Sequence, residues 1–245
     1  MTTALALLAG VLAALWWFVR ARGRPVGRAA RYVRWMRRAM LGFAVPVVVV
    51  LAVLGRIDAL WVMPAEFEPL RAWLPVMAPI DLMIGALAGI SIGLAVAAVR
   101  ALRGARPIGR PGALTPRNRA ELPWGAAIAV VAGVTEEPFF RLVLPLLVTL
   151  VTGSALAGFG VATLLFGALH RYQGWRGMVA TTLFGGVMTS VYLMSGALWL
   201  VMLIHALIDL NGLVVWPALS PQWLSEDRGR GVSPEVGCSR EGAKQ

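Results

Sequence analysis

The sequence predicts an all-α, polytopic transmembrane bundle of about seven spans, and three observations carry that prediction. The chain has 245 residues, is 58% hydrophobic and only 14% charged, and its mean hydropathy is +0.73. Soluble domains lie nearer half apolar and a quarter charged. Apolar runs fall at 3–19, 39–55, 76–99, 122–151, 155–170, 177–194 and 196–216, most of them near the ~20 residues that cross a ~30 Å hydrocarbon core. The net charge of +11 is also partitioned along the chain. Residues 20–38 hold eight arginines and no acid, and residues 100–119 hold six more. The intervening loop, 56–75, sets Asp58, Glu66 and Glu68 against Arg56 and Arg71. Lys and Arg in short loops fix orientation, so the Arg-rich loops are expected in the cytoplasm, the N-terminus outside and the tail inside. This sorting accounts for the positive charge, and no nucleic-acid partner is expected.

Each element follows from local sequence. ALALLAGVLAALWWFV lacks a basic region before it and has arginines after it, which fits a retained N-out helix better than a cleaved signal. Arg24, Arg28, Arg31 and Arg38 recur at helical spacing with Tyr32, Trp35 and Met36 interleaved. Two readings fit residues 20–38: an interfacial helix on anionic headgroups, or a solvated orientation signal. Asp81 follows Pro79 at the start of the third span, where a helix N-terminus favours a carboxylate, so a capping role is expected. Trp61, Trp73, Trp124 and Trp216 flank apolar segments and read as interfacial anchors. The fifth and sixth runs are short and the last two nearly fused. The organisation expected is an N-terminal membrane region over 1–121, a core over 122–216, and a polar tail over 217–245 that reads as disordered. The single cysteine, Cys238, lies in that tail and forms no intrachain disulfide.

The fourth span carries charges that a lipid-facing helix would not. In TEEPFFRLVLP, Glu136, Glu137 and Arg141 sit inside an apolar run. An ionisable group at membrane depth costs roughly 2.5–3.5 kcal/mol on insertion scales unless it is paired or hydrated, and is a functional candidate by default. Glu137 and Arg141 are four apart in the favourable acid-first order and can neutralise one another. Glu136 has no partner in its own segment. Pro138 removes a backbone N–H and disfavours helix at Glu137, predicting a kink or break beside the carboxylates, and broken backbone at membrane depth lines cavities. Both histidines of the chain also lie in apolar helices. His170 ends LLFGALH, and His205 lies in LIHALIDLNG with Asp209 four residues on. A glutamate as base, with imidazoles to polarise a carbonyl or position a proton, is a hydrolytic constellation.

EEPFFR, FGALH and HALID, in that order on successive apolar helices, match E-E-x-x-x-R, F-x-x-x-H and H-x-x-x-D/N. The set resembles the CPBP family of intramembrane proteases, which includes CaaX prenyl endopeptidases and bacteriocin-processing or immunity (Abi-like) proteins. The resemblance covers about residues 122–216. It implies that Glu136 activates water, that Glu137 and Arg141 are the supporting glutamate and arginine, and that His170 and His205 are the active-site histidines. Asp209 stands where many members have asparagine, and Leu142 where many have glycine. An asparagine amide donates to an oxyanion, whereas an ionised aspartate cannot. Asp209 is therefore left with three roles: protonated donor, orienter of His205, or metal ligand.

Zinc would take three protein ligands and a water, for which His170, His205 and either Glu136 or Asp209 are available. H-E-x-x-H is absent, and no cysteine lies in a span. The expectation is a glutamate-activated water without an obligatory metal, zinc being the alternative. Ser154 lies at a helix end opposite His170, and no G-x-G-D motif occurs, so serine and aspartyl intramembrane sites fit worse. Two other classes use the same cluster: a proton-coupled transporter, for which no inverted repeat is visible, and an inactive scaffold or immunity protein. The reading adopted is an intramembrane endopeptidase, expected in the plasma membrane of a bacterium. Its substrate is then a peptide or membrane protein rather than a prenylated CaaX protein. The site is expected to open to the cytoplasm. Glu136 lies about fourteen residues into its span, roughly 20 Å at 1.5 Å per residue. That is too deep to meet His170 unless the span tilts or its first turns, with Pro123 and Trp124, lie in the interface.

Overall fold

The structure is a computed structural model that describes residues 1–20, 27–104 and 112–219. Arg24, Cys238 and the polar tail from residue 220 lie outside the described residues, as does part of the second Arg-rich loop. Among the described residues the regular structure is helical throughout, and five helices are long and apolar enough to cross a membrane. They are Thr2–Arg20 (α1), Arg28–Leu54 (α2), Pro79–Leu102 (α3), the 41-residue stretch Ala155–Ser195, and Leu198–Leu219 (α7). The 41-residue stretch is two helices, Ala155–Leu169 (α5) and Gly174–Ser195 (α6), joined by the turn His170–Gln173. Gly174 supplies the positive φ of 82° at which the chain reverses. Residues 122–152 (α4) form the remaining long rod, which carries Glu136, Glu137 and Arg141. The molecule is thus an all-α membrane bundle, an integral membrane protein.

Two local expectations are corrected. The helix does not break at Pro138: Glu137 keeps α-helical geometry (φ −65°, ψ −47°), and the chain continues through a π-helical segment, Pro138–Val143, into Leu144–Thr152. A wider turn accommodates the missing N–H without ending the helix, as π segments do inside α-helices. Asp81 stands in the first turn of α3, but its side chain makes no capping hydrogen bond. Only its favourable place in the helix field remains. Ser154 does cap, its Oγ accepting from Ala157 N at 3.2 Å at the end of α5 away from His170.

Small residues set the close crossings. On α4, Gly125 and Gly133 face α7: an added Cβ would lie 2.7 Å from Leu213 O at the first and 2.6 Å from Met202 O at the second. On α5, Gly167 abuts Thr182 of α6. These pairs run antiparallel, so α4 lies against α7 and α5 against α6. Membrane helices associate in this way, through close backbone approach rather than a hydrophobic drive. Aromatic rings fill the centre. Phe43 of α2 meets Phe139 at 5.0 Å and Phe140 at 5.7 Å, and Phe140 meets Phe166 at 5.3 Å. The 56–75 loop also contributes to the core. Phe67 is fully buried and packs edge-on against Phe159, 4.7 Å between ring centres, while Arg56 and Glu66 pair at 2.9 Å beside it.

Of the 20–38 stretch, the structure shows residues 28–38 continuous with the span that follows. This part opens α2, and one side of it docks on the start of α4. Arg28 Nε donates to Glu121 Oε1 at 2.6 Å, Arg28 Nη2 to Thr115 O at 2.8 Å, and the Tyr32 hydroxyl to Glu121 Oε2 at 3.1 Å. Tyr32 stacks on Trp124 at 6.0 Å.

Candidate active site

The site is assembled where α4, α5 and α7 converge, and each polar side chain has a structural reason for its direction. Glu137 and Arg141 lie one turn apart, both without exposed surface, with Arg141 Nε 3.2 Å from Glu137 Oε2. The guanidinium carbon sits 4.6 Å above the centre of the Phe166 ring. That placement adds a cation–π contact in a desolvated setting. The expected ion pair is therefore part of a larger group, because Glu137 Oε1 also lies 2.6 Å from His205 Nδ1. The glutamate bridges α4 to α7 and fixes which edge of the His205 ring is turned to it. A carboxylate only accepts, so Nδ1 carries the hydrogen. The opposite edge, Nε2, lies 3.6 Å from Asp209 Oδ2, an ion-pair distance rather than a hydrogen bond.

His170 is held from its own helix. Its Nδ1 is 2.9 Å from the carbonyl oxygen of Phe166, again an acceptor only, so Nδ1 donates and Nε2 is left free. Phe166 thus orients His170 through its carbonyl, and its ring both lies beneath Arg141 and meets His205 edge-on at 6.0 Å. Glu136 is 7% exposed and makes no hydrogen bond among the described residues.

These groups share one cavity of about 670 Å³, whose walls include Glu136, His170, His205 and Asp209. Glu137 and Arg141 lie outside its lining and support it from behind. The cavity extends to Arg100 and to residues 112–115, on the side of the two Arg-rich loops. Polar lining residues that were not singled out from sequence include Tyr172 and Asn211. Each adjoins a motif residue, His170 or Asp209, and that proximity was the available signal. The anchor of the 112–115 segment was missed too: Glu121, whose Oε2 also accepts from Arg117 N at 2.8 Å. Burial alone would raise its carboxyl, but hydrogen bonds from Arg28, the Arg117 amide and Tyr32 outweigh this and hold it below the usual carboxylate range.

Among the described residues no three His, Cys, Asp or Glu side chains form a group that could hold a metal ion. His205 turns Nδ1 to Glu137, which leaves Nε2, 3.6 Å from Asp209 Oδ2, as the ring nitrogen on the cavity side.

A family model described as type II CAAX prenyl endopeptidase, Rce1-like, matches residues 118–211. The match spans α4 to α7 and contains every polar residue placed at the cavity from the sequence motifs. At the level of family it supports a CAAX-type intramembrane protease, in agreement with the CPBP resemblance of the motifs. No curated protein and no solved structure matched the chain.

Proposed function

We propose that the chain is an intramembrane endopeptidase in which Glu136 activates water against a peptide bond. The observation that most supports this is the isolation of one carboxylate: Glu136 is buried, without a hydrogen bond among the described residues, and faces the same cavity as both histidines. A charge at that depth is tolerated where water or a ligand meets it, and a carboxylate beside water is placed to act as a general base.

The residues divide the work by geometry. Glu136 takes a proton from water as the water oxygen bonds to the carbonyl carbon. The free Nε2 of His170 accepts the water's other hydrogen and fixes its direction of attack. The charge that develops on the carbonyl oxygen is met by Nε2–H of a protonated His205, a donor prearranged by Glu137 on the other side of the ring. Asp209 supports the imidazolium by charge from 3.6 Å. Breaking the C–N bond returns the proton from Glu136 to the amine nitrogen, leaving a carboxylic acid and an amine. Glu136, His170 and His205 are the catalytic residues in this account. Glu137 and Asp209 position His205, and Arg141 neutralises Glu137.

The substrate class is a peptide or a membrane-protein segment, entering from the Arg-rich, cytoplasmic side. The test is cleavage of quenched fluorescent peptides, apolar and CaaX-type, prenylated and unmodified, by the purified protein in detergent, with and without EDTA. Cleavage of at least one peptide in both conditions is expected. Failure to cleave any overturns the hydrolytic reading, and loss in EDTA with recovery in zinc overturns the metal-independent step.

A further inference from the structure

A second cavity of about 480 Å³ lies between α3, α6 and α7. Gly85, Gly89 and Gly93 follow at four-residue intervals on α3 and line it, opposite Val187 and Ile204. Glycines at that spacing commonly bring two helices into contact. Here a Cβ added at any of the three meets nothing within 4 Å, so the glycines widen a groove rather than close an interface. The groove and the Glu136 cavity share two lining residues, Gly93 and Asn211. Asn211 opens the π-helical segment Asn211–Val215, two residues after Asp209. Its Oδ1 is covered and without a partner, and its carboxamide makes no hydrogen bond among the described residues.

We propose that groove and cavity form one substrate channel, and that the Asn211 carboxamide holds the main chain of an extended apolar peptide at their junction. This rests on the peptidase reading and names where its substrate lies. A carboxamide offers one acceptor and two donors, the complement of a peptide group. A hydrocarbon chain in the same place would leave the covered Oδ1 unpaired, which a polar atom shut off from water resists. The apolar walls take side chains on one side of Asn211, and the chain continues past it to Glu136. Asn211 is a substrate-binding residue, with no part in proton transfer.

The test measures binding rather than turnover, in full-length Glu136→Gln protein in detergent. The probe is a dansyl-labelled peptide of eight Val, Leu and Ala residues, with analogues in which one amide at a time becomes an ester. One ester position should weaken binding about three- to tenfold, the worth of one neutral hydrogen bond. Asn211→Leu and Asn211→Ala should bind that ester and the parent peptide alike. Asn211→Leu should also melt no lower than its parent, since no partner is lost. Gly89→Leu, at a position where an added Cβ meets nothing within 4 Å, should fill the groove and weaken every analogue equally. Ester discrimination that survives both Asn211 variants overturns the inference, as does a peptide that binds none of the proteins. So does displacement of the peptide by a fatty acid when no ester position matters, an outcome that assigns the groove to lipid. Wild-type protein that cleaves nothing, yet discriminates esters through Asn211, would remove the hydrolytic reading alone. Cleavage without any Asn211 dependence would do the reverse.

Discussion

Glu137 stands between Arg141 and His205 with no exposed surface, so removing it strands the Arg141 guanidinium and takes the acceptor from His205 Nδ1 at once. Breaking a buried pair by deleting one partner costs about 3–5 kcal/mol because the survivor is left uncompensated. Glu137→Ala and Arg141→Ala are each expected to lower the melting temperature in detergent. Replacing both with apolar residues, Glu137→Leu with Arg141→Met, should recover much of that loss. Activity should not return with stability, because His205 has lost the acceptor that orients it. Thermal melts beside turnover of a cleaved peptide separate the two roles, and a fully active double variant would remove Glu137 from positioning. The candidate acids and histidines were legible in the sequence because ionisable groups inside apolar runs are costly. Glu136, His170, His205 and Asp209 do meet at one cavity. The Glu137–His205 bond was not legible, since it joins residues 68 apart whose registers are set by helix packing. The helix-face rule found the Arg141 partner and was blind to the second.

At the scale of elements, the crossing of α4 and α7 decides whether His205 reaches Glu137 at all. Gly133 lies one turn from both glutamates, and a methyl group there would press on Met202 O and on Ala206, next to His205. Gly133→Ala should therefore cost about 1–3 kcal/mol through overpacking and lower turnover by displacing α7. Gly186→Ala, on α6 where a Cβ meets nothing within 4 Å, should leave both unchanged. Equal melts for the two variants would show that the crossing yields without strain. Apolar runs predicted the rods well, because span length is set by the hydrocarbon thickness. They missed that α2 begins at Arg28 rather than near residue 39, since that first part is polar on one side and held by Glu121. They also read 56–75 as a loop only, although Phe67 is buried against α5.

The whole molecule encloses its polar cavity at the end that carries the arginine-rich loops. The wall formed by residues 112–115 is tied there through Arg28 to Thr115 and Glu121. Because Glu121 has its carboxyl lowered in the folded chain, its contribution is present above the ordinary carboxylate range. It is lost as pH falls through the lowered value. Glu121→Gln should lower stability at neutral pH by about 1–3 kcal/mol, the worth of hydrogen bonds to a charged group. It should also flatten the fall in melting temperature on acidification, and an unchanged acid profile would contradict the assignment. Orientation has its own check. With Cys238 replaced by serine, His170→Cys should react with a membrane-impermeant thiol reagent supplied from the cytoplasmic side. Labelling only from the opposite side would reverse the topology.

The central claim is that one unpartnered carboxylate does the chemistry, and Glu136→Gln tests it most directly. The substitution keeps shape and polarity while removing the base, so the purified variant should melt with the wild type. It should cleave the same peptide about 10²- to 10⁴-fold more slowly, the usual contribution of a positioned general base. A folded Glu136→Gln protein that cleaves at the wild-type rate would contradict the account.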